Sequence, residues 1–159
     1  PNSIFGPTPN GDNATFINLT IETGGIAFHG FDTEGNHRNG WVISNCDMTL
    51  TSSTAKGVDG AQNGIVVNNT ITGTCEYGMQ LQGNSIISGN TVTANATRSL
   101  WLTDADMIVI GNILKNSETG VFISSPSFDS IVANNRISNV STAINDNGTN
   151  TELDANLTT

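Results

Sequence analysis

The chain has 159 residues, enough for one domain with a core of its own, and sets fourteen acidic residues against five basic ones for a formal charge of −9. Arg38, Lys56, Arg98, Lys115 and Arg136 lie scattered, so the basic stripe of a duplex-binding protein is missing, and no apolar run approaches the ~20 residues that span a bilayer. The expectation is a soluble chain whose partners include neither nucleic acid nor a membrane span.

Asn, Thr, Ser and Gly take the place of charge, a mixture that favours turns and short strands over long helices. Cys46 and Cys75 allow at most one disulfide, and packed thiols are the simpler expectation. In chain order, residues 1–13 read as an extension or linker, and a first coil is expected over 15–21. A motif then recurs as WVISN at 41–45, IVVNN at 65–69, IISGN at 86–90, IVIGN at 108–112 and IVANN at 131–135. Its closing asparagines stand 24, 21, 22 and 23 residues apart. A second motif opens on a small residue: GIAF at 25–28, a degraded GV at 57–58, GMQL at 78–81, SLWL at 99–102, GVFI at 120–123 and AI at 143–144. Residues 57, 78, 99 and 120 are 21 apart, in step with the first set.

Short strands joined by tight turns at one fixed period describe a solenoid in which each coil pairs only with its neighbours. A lap of 21–24 residues, at ~3.3 Å per strand residue, suits one circuit of a three-sided parallel β-helix. The frame of leucine-rich repeats and the hexapeptide period of left-handed helices are both absent. The expected fold is all-β, a right-handed parallel β-helix of about six coils over 14–146, followed by a C-terminal tail at 147–159. Asparagine tolerates the left-handed backbone of a sharp corner, and its amide can bond to an asparagine one coil away. Asn45, Asn69, Asn90, Asn112 and Asn135 are therefore read as structural.

The I-x-x-x-N-x-I frames at 65–71, 86–92 and 131–137, with the G-x-x-L strands between them, resemble the parallel β-helix repeats of the pectin-lyase-like superfamily. That superfamily includes polysaccharide lyases, hydrolases, epimerases and phage tailspikes. The resemblance covers roughly 14–146 and implies a fold more than a chemistry. The D-P-H-E signature of alginate epimerases and the basic cluster of uronate lyases are missing here, which weakens both of those readings.

Two outward ladders are expected. Successive strand residues point to opposite faces, and Val42, Val66, Ile87, Val109 and Val132 are assigned to the outside as an apolar stripe of a kind that soluble monomers seldom leave wet. The resemblance to tailspikes implies a homotrimer packed through it. On the other strand, Gln80, Trp101, Phe122 and Asn145 form one outward ladder, and His29, Gln82, Thr103 and Ser124 the next. Aromatic faces beside amides and hydroxyls suit a sugar ring, although Trp101 and Phe122 packed under a loop would read the same.

Carboxylates follow in the turn beyond: Asp59, Asp104, Asp106 and Asp129. Two coils at ~4.8 Å put Asp59 and Asp104 ~10 Å apart, near the ~6.5–9.5 Å of an inverting glycosidase pair. Solvated turn residues are the plainer reading. The loop at 28–40 gathers His29, Asp32, Glu34, His37 and Arg38, which suits acid–base work. No zinc frame is present, calcium is permitted without support, and no cofactor is expected. T-x-T pairs at Thr49/Thr51, Thr70/Thr72 and Thr91/Thr93 resemble ice-binding solenoids but are interrupted at Ile113/Lys115 and Arg136/Ser138. Seven sequons, beginning at Asn13, are what so Asn- and Thr-rich a chain yields by chance. The expected function is recognition of a cell-surface polysaccharide by an extracellular or virion shaft. A glycoside hydrolase using Asp59, Asp104 and Asp106 is the alternative, and a purely structural or adhesin shaft the third reading.

Overall fold

The computed structural model of the chain describes residues 4–5, 12–29 and 39–159. Among these, every regular element is a β-strand, and every ladder between strands is parallel. No helix among the described residues is long and apolar enough to cross a membrane. The all-β right-handed solenoid expected from the repeat is the fold observed. Five laps are described without a gap, from Val42–Ser44 to Glu152–Asp154, and a sixth, from Thr15–Ile17, runs through residues 30–38, which lie outside the described set.

Three walls result. The first stacks Thr15–Ile17, Val42–Ser44, Ile65–Val67, Ile86–Ser88, Ile108–Ile110, Ile131–Ala133 and Glu152–Asp154. The second stacks Thr20–Thr23, Asp47–Thr51, the start of Thr70–Gln82, Thr91–Val92, Ile113–Lys115, Arg136–Ser138 and Leu157–Thr158. The third stacks Ile26–His29, Lys56–Gln62, the end of Thr70–Gln82, Asn95–Leu102, Ser117–Ile123 and Thr142–Asp146. Glu152–Asp154 and Leu157–Thr158 thus carry the first two walls into the segment read as a tail.

The first wall corrects the expected orientation. Val66, Ile87, Val109 and Val132 are 0 % exposed and face the lumen, whereas Ile65, Ile86 and Ile131 are 40 %, 37 % and 36 % exposed. A wall three residues wide turns only its middle side chain inward. Apolar residues in all three columns left the parity open, and the outward choice was the wrong one. A trimer contact through Val66, Ile87, Val109 and Val132 is therefore excluded, because these side chains are the core. Val42 is a separate error of phase. It pairs with Ile65, and Ile43 with Val66, so Val42 is a half-buried outer residue and Ile43 is its lumenal neighbour.

The lumen is a stack of aliphatic rungs. Ile43, Val66, Ile87, Val109 and Val132 meet Met48, Ile71, Val92, Leu114 and Ile137 from the second wall, and Val58, Met79, Leu100 and Val121 from the third, each at most 1 % exposed. Each such burial is worth ~1.5–3 kcal/mol. The small residues at 57, 78, 99 and 120 are needed because laps approach closely there: a Cβ on Gly78 would stand 2.6 Å from the Ser99 carbonyl oxygen, and one on Gly120 2.6 Å from that of Ala143. Both cysteines are buried and free, and burial pushes the Cys75 thiol up to about 12.

The corner between the first two walls divides the two jobs given to asparagine between adjacent residues. Asn45, Asn68, Gly89, Gly111 and Asn134 take the left-handed conformation, with φ of 53°, 56°, 64°, 67° and 55°. The residues after them build the amide ladder. Asn69 donates from its backbone N and Nδ2 to Asn90 Oδ1 at 2.9 and 3.0 Å, and from Nδ2 to the Ile43 carbonyl at 2.9 Å. Asn90, Asn112 and Asn135 repeat the pattern, ending on Asn156. Asn45 therefore belongs with Asn68, not with Asn69. Cys46 occupies the ladder column in its lap, its backbone N donating to Asn69 Oδ1 at 2.9 Å.

Candidate functional site

The outer face of the third wall gathers more of the chain's chemistry than any other described surface. Its strands place His29, Asp59, Gln80, Trp101, Phe122 and Asn145 side by side on successive laps. Gln80, Trp101, Phe122 and Asn145 stand as expected. His29 and Asp59 join this ladder instead of the neighbouring column and the turn. A β-bulge between Asp59 and Ala61, with Gly60 at φ 85°, puts the extra residue inside the strand. Gln82 lies opposite Gln62 on the next outward column, and Thr103 and Ser124 turn their hydroxyls back onto the Leu81 and Leu102 carbonyls.

A second outward column, three residues earlier, went unread in the sequence: Lys56, Tyr77, Arg98, Thr119 and Thr142. The signal was present, since each precedes the small residue that recurs every 21 to 23 positions. Its side chains lean onto the first column. The Arg98 guanidinium lies 4.4 Å from the Trp101 ring centre and 4.3 Å from that of Phe122, a cation–π contact on both. The Tyr77 and Trp101 rings meet edge to face at 5.4 Å and 83°, and those of Trp101 and Phe122 at 6.3 Å and 82°. Trp101, Phe122, Arg98 and Gln80 remain partly exposed. Arg98 has no carboxylate partner among the described residues, where the one ion pair joins Lys56 and Asp59.

The other end of this face is closed. Tyr77 Oη donates to Asp59 Oδ1 at 2.9 Å, and Lys56 Nζ donates to Oδ2 at 3.2 Å. Asp59 is 4 % exposed and Tyr77 1 %. Burial first, then the Asp59 charge and hydrogen bond, raise the Tyr77 phenol above its ordinary value. Because the folded-state value is the higher one, the stability it contributes is complete below about pH 10 and is lost as pH rises through the folded value. Tyr77 is the sole tyrosine, so an ultraviolet titration reads it alone. The expected result is no phenolate signal near pH 10 and ionisation only with alkaline unfolding; a reversible midpoint near 10 in folded protein would mean the contact with Asp59 is absent.

The proposed carboxylates are not brought together. Asp59 sits within a strand with both oxygens engaged, while Asp104 lies three residues past Trp101, two laps away. Two rungs of ~4.8 Å and three residues of ~3.3 Å separate their backbones by ~14 Å. Asp104 Oδ1 accepts from the Ala105 backbone N at 2.9 Å, closing a local turn. Asp106 and Asp129, at φ 56° and 54°, are left-handed corner residues in line with Asn63, Asn84 and Asn150. Of the loop at 28–40, residues 30–38, with Asp32, Glu34, His37 and Arg38, lie outside the described residues. Among the described ones no group of three or more His, Cys, Asp or Glu is placed to hold a metal ion.

The face is thus an aromatic and guanidinium strip with free hydrogen-bonding edges, sealed at one end by a buried carboxylate. A family model described as a right handed beta helix region matches residues 9–137. No curated protein and no solved structure matches the chain.

Proposed function

The chain belongs to the right-handed beta helix family, whose fold supports a carbohydrate-related or structural shaft, and from that premise we propose that the outer face of the third wall binds a polysaccharide lying along the helix axis. The observation that carries this reading is the pair Trp101 and Phe122, partly exposed on adjacent laps between Gln80 and Asn145. Laps repeat at about 4.8 Å, near the length of one hexose unit, so successive rings of a glycan meet successive side chains. A sugar stacks its C–H face on an aromatic ring and gives its hydroxyls to neutral amides. The unpaired edge of Arg98 adds donors beside the two rings.

At −9, the chain repels a polyanion, so a neutral or weakly charged glycan fits best. Binding without cleavage is the form of the reading we favour, since Asp59 is fully engaged and Asp106 forms a corner. The setting it implies is extracellular or on a virion, where surface polysaccharide is met.

The test is calorimetric titration with a panel of neutral and acidic polysaccharides. Trp101→Ala is expected to weaken binding of the responding glycan by about 30-fold, the scale of an interface hot spot, with an unchanged far-ultraviolet dichroism spectrum. Wild-type affinity in a folded Trp101→Ala variant, or no response to any glycan, would overturn the reading.

A further inference from the structure

We propose that the outer face of the second wall is a contact for a second copy of this chain, docked antiparallel. The inference is independent of the polysaccharide reading, which concerns the third wall. The second wall presents two outward columns. Its middle laps carry only threonine, with Thr70 opposite Thr91 in one column and Thr72 followed by Thr93 in the other. Thr72 also lies opposite Thr49, not Thr51 as the T-x-T spacing suggested, and their hydroxyls stand 3.5 Å apart. Charge is confined to the two ends. Glu22 and Asp47 occupy the first two laps, and Lys115 and Arg136 the last two before the C-terminal edge. Glu22, Asp47 and Arg136 are exposed and Lys115 is partly so. None of the four has an ion-pair partner among the described residues.

This arrangement is complementary to itself in one orientation. A two-fold axis along the strand direction, between the Thr70 and Thr91 laps, reverses lap order and keeps each column opposite its own copy. The Glu22 lap then meets the Arg136 lap, and the Asp47 lap meets the Lys115 lap, each pair diagonal between adjacent columns. A parallel arrangement sets like charges together. In the antiparallel one the flat threonine laps meet each other, and four intermolecular pairs form per dimer.

Six laps of ~4.8 Å by a width of ~10 Å give about 300 Å² per copy, well below the ~800 Å² per partner of a stable complex. The dimer is therefore weak and reversible. The net charge of each copy is spread over distances beyond a Debye length of ~8 Å at about 0.15 M salt, so its repulsion is screened there while the contact pairs persist; near 1 M, at ~3 Å, they are screened as well.

Sedimentation equilibrium up to the solubility limit tests this. At about 0.15 M salt, concentration-dependent dimerisation is expected, weakening toward 1 M. Arg136→Glu and Glu22→Arg are each expected to weaken it about tenfold, because each reverses two symmetry-related exposed pairs worth up to ~1 kcal/mol apiece. The double variant Glu22→Arg with Arg136→Glu is expected to recover wild-type association. A monomer at every concentration, a double variant no better than the singles, or a salt-insensitive dimer abolished by Ile65→Asp on the first wall would each overturn the proposal.

Discussion

Asn112→Leu is expected to destabilise the fold by about 4 kcal/mol or more in urea denaturation. Asn112 Oδ1 accepts from both the backbone N and Nδ2 of Asn90, at 2.9 and 3.0 Å, and its own Nδ2 donates to the Ile87 carbonyl at 3.0 Å. Leucine matches the volume but strands all three partners in a site that is 0 % exposed. Each buried group left unpaired costs ~1–3 kcal/mol, and water cannot reach them. Asn156→Leu removes an equivalent set from Asn135 and Val132, yet at a partly exposed lap where solvent substitutes, so a loss near ~1 kcal/mol is expected. Asn68→Gly, one residue before the ladder, is expected to be almost neutral, because its job is the left-handed φ that glycine adopts freely. Equal losses in Asn68→Gly and Asn112→Leu would show that the two roles are not divided between neighbouring residues.

The same division explains what the sequence hid. The period was legible because every lap is bound to its neighbours by identical demands: a three-residue strand, a left-handed corner, a buried amide, a small residue where backbones crowd. Phase was harder. Asparagine serves two adjacent columns for different reasons, and glycine replaces it only in the left-handed one, at Gly89 and Gly111. Matching Asn45 to Asn69 rather than to Asn68 moved one lap by a residue. Cys46, with no side-chain amide, gave no warning. Trp41, buried just ahead of the strand, supplied a false apolar first position.

The candidate site was half legible for a related reason. Gln80, Trp101 and Phe122 are at a constant offset from the small residues at 78, 99 and 120, so their column followed from spacing alone. Asp59 did not, because the bulge beside it adds a residue that spacing counts as turn. Lys56, Tyr77 and Arg98 have no common chemistry to mark them as a column. Only the folded wall shows that Lys56 and Tyr77 converge on Asp59 while Arg98 spans two rings.

Orientation of the first wall decides which residues are core, and adjacent isoleucines permit a direct test. Ile87→Asp is expected to abolish cooperative folding, with loss of the far-ultraviolet strand signal. Its side chain is 0 % exposed, packed between Val66 and Val109 on the neighbouring laps, and no cation lies on these lumenal rungs. A lone carboxylate there stays charged at a cost of several kcal/mol or takes up a proton and still leaves polar groups unpaired, a penalty comparable to the whole stability of a domain. Ile86→Asp changes the adjacent residue, 37 % exposed and outward. It loses only contact with Ile65 and Ile108 across the ladder, so about 1 kcal/mol is expected. Should Ile87→Asp yield no soluble protein, Ile87→Val provides the graded version: about 1 kcal/mol for one lost methylene in a lumen with no room to collapse, against a negligible change for Ile86→Val. A folded Ile87→Asp beside an unfolded Ile86→Asp would turn the wall inside out and return Val66, Ile87, Val109 and Val132 to the surface.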